Sequence, residues 1–242
     1  GIAKQKNLSL VAGSESLFGQ EYFNHSFFGV QFRLPNYGSF GLSVENFSVD
    51  YSGNSLSKET SIGLHQGITL SSDRNSTISF GYGIKNYTVD YGSTAGVTGD
   101  GSDGIDLGSQ SSLGIDIGLL ASLADRIRFG AKAFNINSPT LGDANSAVRL
   151  PQRAQVGIAF SPYDLVWTTA ALTKSTGHAS HFHGGMSYHI LDNIFLRAGV
   201  MTNPNRFATG FEVLVKKIRI NYAFMTHPVL PLSHQVSVEV VR

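Results

Sequence analysis

Residues Asn193–Met201 have the sequence NIFLRAGVM, in which apolar side chains alternate with polar or small ones. Ile194, Leu196 and Val200 share one face of an extended chain, because successive side chains of a β-strand point to opposite faces. The same period of two recurs along the chain, for example in Phe27–Leu34, Leu113–Leu123, Ile127–Ile136 and Ile218–Met225. We predict an all-β protein of about fourteen strands, with no helix between them.

The composition narrows the class of protein. Charged residues make up 14% of the 242 residues, against about 25% in soluble domains. The net charge of +1 gives no reason to expect a nucleic-acid partner. No run of about 18 apolar residues exists, which excludes transmembrane helices. The absence of cysteine excludes disulfides, thiolate metal sites and a cysteine nucleophile.

A sheet with one continuous apolar face and little charge is typical of a closed antiparallel barrel in a bacterial outer membrane, with lipid against its outer face. We predict one such domain over residues 1–242. Short connections such as Pro35–Ser39 and Leu191–Asn193 alternate with long ones at about 13–26, 92–112, 137–153 and 226–233. In outer-membrane barrels the long loops are extracellular and the short turns periplasmic, so both termini are expected in the periplasm.

The sequence gives three further expectations, which concern the N-terminus, the strand register and the membrane interfaces. Gly1–Lys6 lacks the apolar core of a signal peptide, which is expected of a mature or N-terminally incomplete chain. The alternation changes phase within Phe40–Tyr51, which predicts a β-bulge near Asn46, and again near Tyr87. Aromatic residues are expected in girdles at the two membrane interfaces, and the candidates are Tyr22, Phe23, Tyr51, Tyr87, Tyr91 and Trp167.

The opposite face of the strands is predicted to line the barrel lumen. Its charged residues must be paired or hydrated, because unpaired burial of charge is costly. The residues with this parity are Arg33, Lys85, Asp116, Arg128, Lys132, Arg197, Arg219 and Glu239. Many glycines share the face, which leaves room for a ligand, a plug or water.

Three groups of polar residues are candidates for a chemical site. His181 and His183 lie two residues apart on one strand and could chelate a divalent metal, but no third ligand has suitable spacing. The three aspartates of the Gly92–Ser112 loop offer oxygen ligands for calcium without the spacing of an EF-hand. His178 and Ser180 resemble the His/Ser pair of barrel lipid deacylases, with no acidic third member. We therefore predict no catalytic, cofactor or metal residues and a non-enzymatic protein.

The C-terminal third, Leu196–Val240, resembles the closing hairpins of FadL-like barrels of the PorV/PorQ kind. The matching elements are Arg197-Ala198-Gly199, Phe207 with Gly210-Phe211, Ile220-Asn221-Tyr222-Ala223-Phe224 and His227-Pro228 with Ser233-His234, and the stretches Gly38–Tyr51 and Arg126–Gly142 are similar more loosely. The resemblance implies a fourteen-stranded barrel. It also implies either an accessory subunit of a larger membrane complex for type IX protein secretion or a carrier of hydrophobic compounds.

Four hypotheses follow from the sequence. The main one is a secretion-linked accessory barrel with a larger protein partner, and its alternative is a diffusion channel for small hydrophobic molecules. A lipid-modifying barrel enzyme that uses His178 and Ser180 is more remote. A soluble β-sandwich would need polar outer faces, which the strands lack.

Overall fold

The computed structural model describes residues 8–51, 54–94, 96–99, 103–142 and 147–241. Their strands are β1 (Ser9–Ser16), β2 (Phe23–Leu34), β3 (Gly38–Tyr51), β4 (Asn54–Ser72), β5 (Ser76–Asp90), β6 (Ser109–Leu123), β7 (Ile127–Phe134), β8 (Thr140–Leu141), β9 (Val148–Arg149), β10 (Arg153–Tyr163), β11 (Val166–Ser175), β12 (His181–Leu191), β13 (Ile194–Met201), β14 (Arg206–Val215), β15 (Ile218–Met225) and β16 (Ser233–Val241). No helix in these ranges is long and apolar enough to cross a membrane.

Fourteen strands of the described chain form one closed antiparallel barrel, as the alternation predicts. Each strand pairs with its neighbours along the chain, and β1 closes the sheet by pairing with β16 from Ser9↔Val241 to Ser16↔His234. The short strands β8 and β9 form a separate hairpin within the loop between β7 and β10. Closure leaves no sheet edge exposed, which is the condition for a β-structure to lie in lipid.

Burial in this barrel is inverted relative to a soluble protein. The buried residues of the described chain are mostly polar residues and glycines, among them Ser39, Asp116 and Glu212, and Leu141 is the one large apolar member of the set. Large apolar side chains lie on the outside, with Leu64 64% exposed and Phe129 52% exposed. This arrangement excludes a soluble β-sandwich, whose core would be apolar, and it is stable only when lipid covers the outer face.

The connections differ at the two rims. Short turns follow β2, β4, β6, β10, β12 and β14, whereas the segments 17–22, 91–108, 135–152 and 226–232 lie at the opposite rim. The turn after β6 places Ala124 (φ 49°) and Asp125 (φ 53°) in the left-handed region, as in the tight hairpin turns that match strand twist. β1 starts and β16 ends at the short-turn rim, which is the periplasmic side in outer-membrane barrels.

The loop boundaries differ from those predicted. The first loop is 17–22 rather than 13–26, because Gly13 pairs with Phe27 and Glu15 with His25. The other three predicted loops, at 92–112, 137–153 and 226–233, are 91–108, 135–152 and 226–232. Where the strands extend further than predicted, the cause is physical: near the rim they leave the lipid, so small and charged residues replace the apolar alternation while pairing continues. β7 instead ends earlier than predicted, at Phe134.

The predicted bulge near Asn46 is wrong. Asn46 pairs with Ser26 and with Thr60 in unbroken register, and the nearby irregularity lies between Val49 and Asp50. The phase change arises because the interior becomes apolar near the long-loop rim, so that Phe47 lies on the inner face. The strand itself continues without an extra residue.

Candidate functional site

The lumen is the candidate site, since it holds nearly all the polar chemistry of the described strands. Strand register places all eight predicted residues on the inner face. Two of them, Arg33 and Arg128, lie near the short-turn rim. Three lie at mid-height on β5 to β7, namely Lys85, Asp116 and Lys132. The other three belong to the β13–β16 wall, namely Arg197, Arg219 and Glu239. Most charged residues of the inner face therefore lie in two groups, one on β5 to β7 and one on β13 to β16.

A ladder of paired charges crosses the wall formed by β13 to β16. Glu212, 3% exposed, forms an ion pair with Arg197, and its Oε1 lies 2.9 Å from Arg219 Nε. Arg219 Nη1 donates a hydrogen bond to Glu239 Oε2 at 2.6 Å. Glu239 also accepts a hydrogen bond of 2.7 Å from the Ser9 hydroxyl. The ladder therefore extends across the β16–β1 seam that closes the barrel.

A cavity of about 490 Å³ lies against this wall. Small residues such as Gly199, Ala208 and Gly210 form part of its lining, and the charged ladder forms another part. A side chain at Gly210 would meet the backbone oxygen of Tyr222 at 2.5 Å, so this recess depends on glycine. The wall is therefore recessed, and its charges are satisfied by one another.

The wall formed by β3 to β7 and β10 contains cations with fewer acidic partners. Asp116, 2% exposed, accepts a hydrogen bond from the Asn135 backbone N–H at 3.1 Å, and its Oδ2 lies 3.9 Å from Lys132 Nζ. Lys132 Nζ and Arg153 Cζ lie 3.9 Å and 4.0 Å from the ring centroid of Phe134. Such cation–π contacts hold a cation in place without neutralising its charge.

The same wall carries a polar pair that the sequence analysis did not single out. Ser43 Oγ and His65 Nε2 lie 2.9 Å apart at mid-height. A side chain at Gly63 would meet His65 Nε2 at 2.6 Å, so glycine makes room for this imidazole. No acidic residue of the described chain forms an ion pair with His65, so the pair lacks the third member of a catalytic triad.

Five aromatic rings pack together at the long-loop rim, where Phe23 and Phe47 lie on the inner face. We call this set the mouth cluster and define it as Phe18, Tyr22, Phe23, Phe47 and His227. Phe23 stacks on Phe47 with ring centroids 6.0 Å apart, and Phe18 contacts the His227 ring edge-on at 5.3 Å. Tyr22 lies 4.5 Å from Phe23. The cluster joins the inner faces of β2 and β3 to the loops 17–22 and 226–232, and offers an apolar entrance above the charged walls.

The predicted aromatic girdle is wrong for three of its members. Phe23 and Tyr87 face inward, and Trp167 also lies on the inner face, with Arg128 Cζ 4.2 Å from its ring. A guanidinium on the lumen wall attracts an aromatic ring through cation–π attraction, and lipid offers no equivalent partner. Tyr51, 62% exposed, ends β3 at the long-loop rim and has the parity of the inward Phe47.

Sequence reasoning missed Glu212, the central acid of the ladder, together with Arg153, His65 and the Glu15–His25 ion pair, whose atoms lie 3.0 Å apart. Parity alone would have found Glu212, because Phe211 and Val213 flank it as outward residues. Arg153 escaped notice because the sequence placed it in a loop, whereas it is the first residue of β10.

The alternatives weighed as metal and catalytic sites are placed as follows. The described residues contain no group of three or more metal-ligating side chains, and His181 Nδ1 lies 3.2 Å from the Thr202 carbonyl oxygen. His183 lies opposite Ala171 and Met201. His178 and Ser180 share no hydrogen bond within the described chain; the carbonyl oxygen of each accepts one instead, from Lys174 and Asn203.

The aspartates considered as calcium ligands accept hydrogen bonds from other groups of the same loop. Asp103 accepts hydrogen bonds from the Thr98 hydroxyl and from the backbone N–H of Val97. The Thr98 hydroxyl bond is the main reason why the pKa of Asp103 is lowered. Asp106 accepts from the Gly108 backbone N–H, while Asp100 lies outside the described residues.

No family model matches the chain, and no curated protein matches it in sequence. The structure is similar to the Pseudomonas putida toluene transporter TodX, at 13% identity and a TM-score of 0.59, covering 97% of this chain and 88% of that one. A Pseudomonas aeruginosa FadL homologue has 13% identity and a TM-score of 0.57, covering 99% and 91%. The Acinetobacter baumannii outer membrane protein Omp33 has 7% identity and a TM-score of 0.56, covering 99% and 100%.

These similarities, together with the closed topology and the apolar outer face, define the class of protein. The chain is a fourteen-stranded β-barrel of the bacterial outer-membrane type, with a fold like that of FadL and TodX.

Proposed function

We propose that this barrel is a diffusion channel for small hydrophobic molecules. The observation that carries the proposal is the mouth cluster, in which Phe23 and Phe47 lie on the inner face at the long-loop rim and the rings of Phe18 and His227 pack beside them. Each contact between a ligand ring and such a residue adds about 0.5–1.5 kcal/mol beyond the burial of apolar area. An aromatic or short aliphatic solute would therefore leave water at this entrance.

The fold similarity supports this class of substrate without identifying one. TodX is described as a toluene transporter, and CymD, which has a similar fold at 11% identity and a TM-score of 0.58, is described as a monoaromatic hydrocarbon channel. The mouth cluster is of the chemistry that a monoaromatic solute would recognise, since rings pack edge-on or offset against one another.

The test is uptake of labelled toluene by cells that express the barrel. Replacing Phe23 and Phe47 together by serine removes two stacked inner rings and should lower the uptake rate several-fold. Tyr37→Ser is the matched control, because Tyr37 is 68% exposed on a turn at the opposite rim. Uptake no faster than in cells without the barrel, or equal loss in the control, would overturn the proposal.

A second proposal is the accessory role in protein secretion implied by the likeness of Leu196–Val240. It is favoured by apolar side chains on the long loops that are unusually exposed, with Val97 at 99%, Val229 at 86% and Ile105 at 74%. A contiguous apolar patch on the loops would mark a protein-docking surface, and these side chains are the ones that would contribute to it. The test is gentle detergent extraction followed by identification of bound proteins, compared with a Val229→Ser and Ile105→Ser variant; a barrel that elutes alone refutes this role.

A further inference from the structure

The charges on the inner face are unequal in number. The described strands present basic side chains inward at Arg33, Lys85, Arg128, Lys132, Arg153, Arg197, Arg206 and Arg219. They present acidic side chains inward at Glu15, Glu45, Glu59, Asp116, Glu212 and Glu239. Cations therefore outnumber carboxylates along the lumen.

The excess of cations is concentrated at the positions without an ion pair. Glu212 and Glu239 are engaged by the ladder and Asp116 by Lys132, while Glu15 contacts His25. The basic residues without an acidic partner among the described residues are Arg33, Lys85, Arg128, Arg153 and Arg206, and the acids without a lysine or arginine partner are Glu15, Glu45 and Glu59. Arg128 and Arg153 contact rings only, so their full charge acts on the lumen.

These free cations are distributed along the whole path through the barrel. Arg33 and Arg128 lie near the short-turn rim, Lys85 lies at mid-height, and Arg153 and Arg206 begin their strands at the long-loop rim. Lys85 lies between Gly63 and Gly114 on the neighbouring strands, and no described acidic residue forms an ion pair with it. A solute that follows the lumen meets an uncompensated positive charge at each level.

The physical consequence is a preference for negative ions. A lipid-embedded wall of low dielectric focuses the field of lumenal charges, and rows of lysine and arginine are the usual means by which pores select anions. The recess of about 490 Å³ along the β13–β16 wall adds open space to the lumen, beside the paired Arg197 and Arg219 of the ladder rather than beside the free cations.

We propose that the lumen conducts small inorganic anions in preference to cations. This inference goes beyond the proposed uptake of hydrophobic molecules and does not rest on it, because chloride conductance and toluene uptake are separate measurements that can fail separately.

The experiment uses the full-length purified barrel in a planar lipid bilayer under a KCl gradient. We expect a reversal potential of the sign for chloride selectivity, with a chloride-to-potassium permeability ratio of about 3 or more near 0.1 M salt, falling as salt screens the lumen. Replacing Lys85 and Arg153 together by glutamine should lower the ratio at least about twofold. Replacing Glu45 and Glu59 together by glutamine should raise it.

The matched control replaces Lys58 and Lys174 by glutamine, which removes the same charge from exposed residues of outward parity. The folded state of each variant is checked by its heat-dependent migration on a gel. A folded barrel that shows no conductance, a ratio of one or below, or a ratio that responds equally to the control pair would overturn the inference.

Discussion

Removal of the charge of Glu212 is the most informative perturbation of the ladder. Glu212 is 3% exposed and contacts two arginines, Arg197 and Arg219, on the neighbouring strands. The Glu212→Gln substitution keeps the size and shape of the side chain but leaves both guanidinium groups without their shared anion. Because these pairs join β13, β14 and β15, the loss should appear as a lower free energy of unfolding of the barrel.

The magnitude follows from the burial of the partners. Breaking a fully buried ion pair costs about 3–5 kcal/mol, and a hydrogen bond to a charged group contributes about 1.5–3 kcal/mol. The side chains of Arg197 and Arg219 are 53% and 35% exposed, so lumenal water compensates part of the loss. Arg219 Nε is also close enough to Glu212 for an ion pair, though not aligned as a hydrogen bond. We expect a destabilisation of about 2 kcal/mol.

The assay is reversible urea unfolding in lipid vesicles, followed by the fluorescence of Trp167. Glu59→Gln is the control, since Glu59 is an exposed inner-face residue that should change the free energy of unfolding by less than about 0.5 kcal/mol. A double-mutant cycle with Arg219→Gln should give a coupling energy of about 1 kcal/mol or more. A loss below about 0.5 kcal/mol for Glu212→Gln, or no coupling, would refute the view that the ladder stabilises the wall.

Three further predictions concern packing, orientation and turn geometry. Gly13→Ala places a methyl group 2.7 Å from Val236 O and against the Phe27 ring, and should destabilise the barrel by about 1–3 kcal/mol in the same urea titration. Gly130→Ala is the control and should be tolerated, because the nearest atom to its methyl group would be 4.0 Å away. The fluorescence of Trp167 should be quenched by aqueous iodide and not by brominated lipid, since the ring lies inside the barrel. Quenching by brominated lipid alone would show that Trp167 faces the membrane instead. Ala124→Asn should stabilise the barrel by about 0.5–1 kcal/mol because asparagine tolerates φ 49° better than alanine, and an unchanged urea midpoint would contradict this reason.

The sequence predicted the barrel and its inner face well because both depend on parity, which is a local property. Whether Arg197 or Leu196 faces inward follows from the alternation along β13 alone. The same reasoning failed near the long-loop rim, where Phe23 and Phe47 face inward and an apolar residue no longer marks the lipid side. Three of the four predicted loops were too long there for the same reason, since pairing continues beyond the lipid-facing belt.

The alternation of side chains is enough to specify an all-β membrane barrel, because a period of two with one apolar face has few other stable solutions. Which charges meet depends instead on how distant strands pair. Ser9 and Glu239 are 230 positions apart and share a hydrogen bond because closure brings β1 against β16. The excess of free cations, the recess on one wall and the mouth cluster all depend on register and closure between distant strands, which alternation within a single strand does not encode.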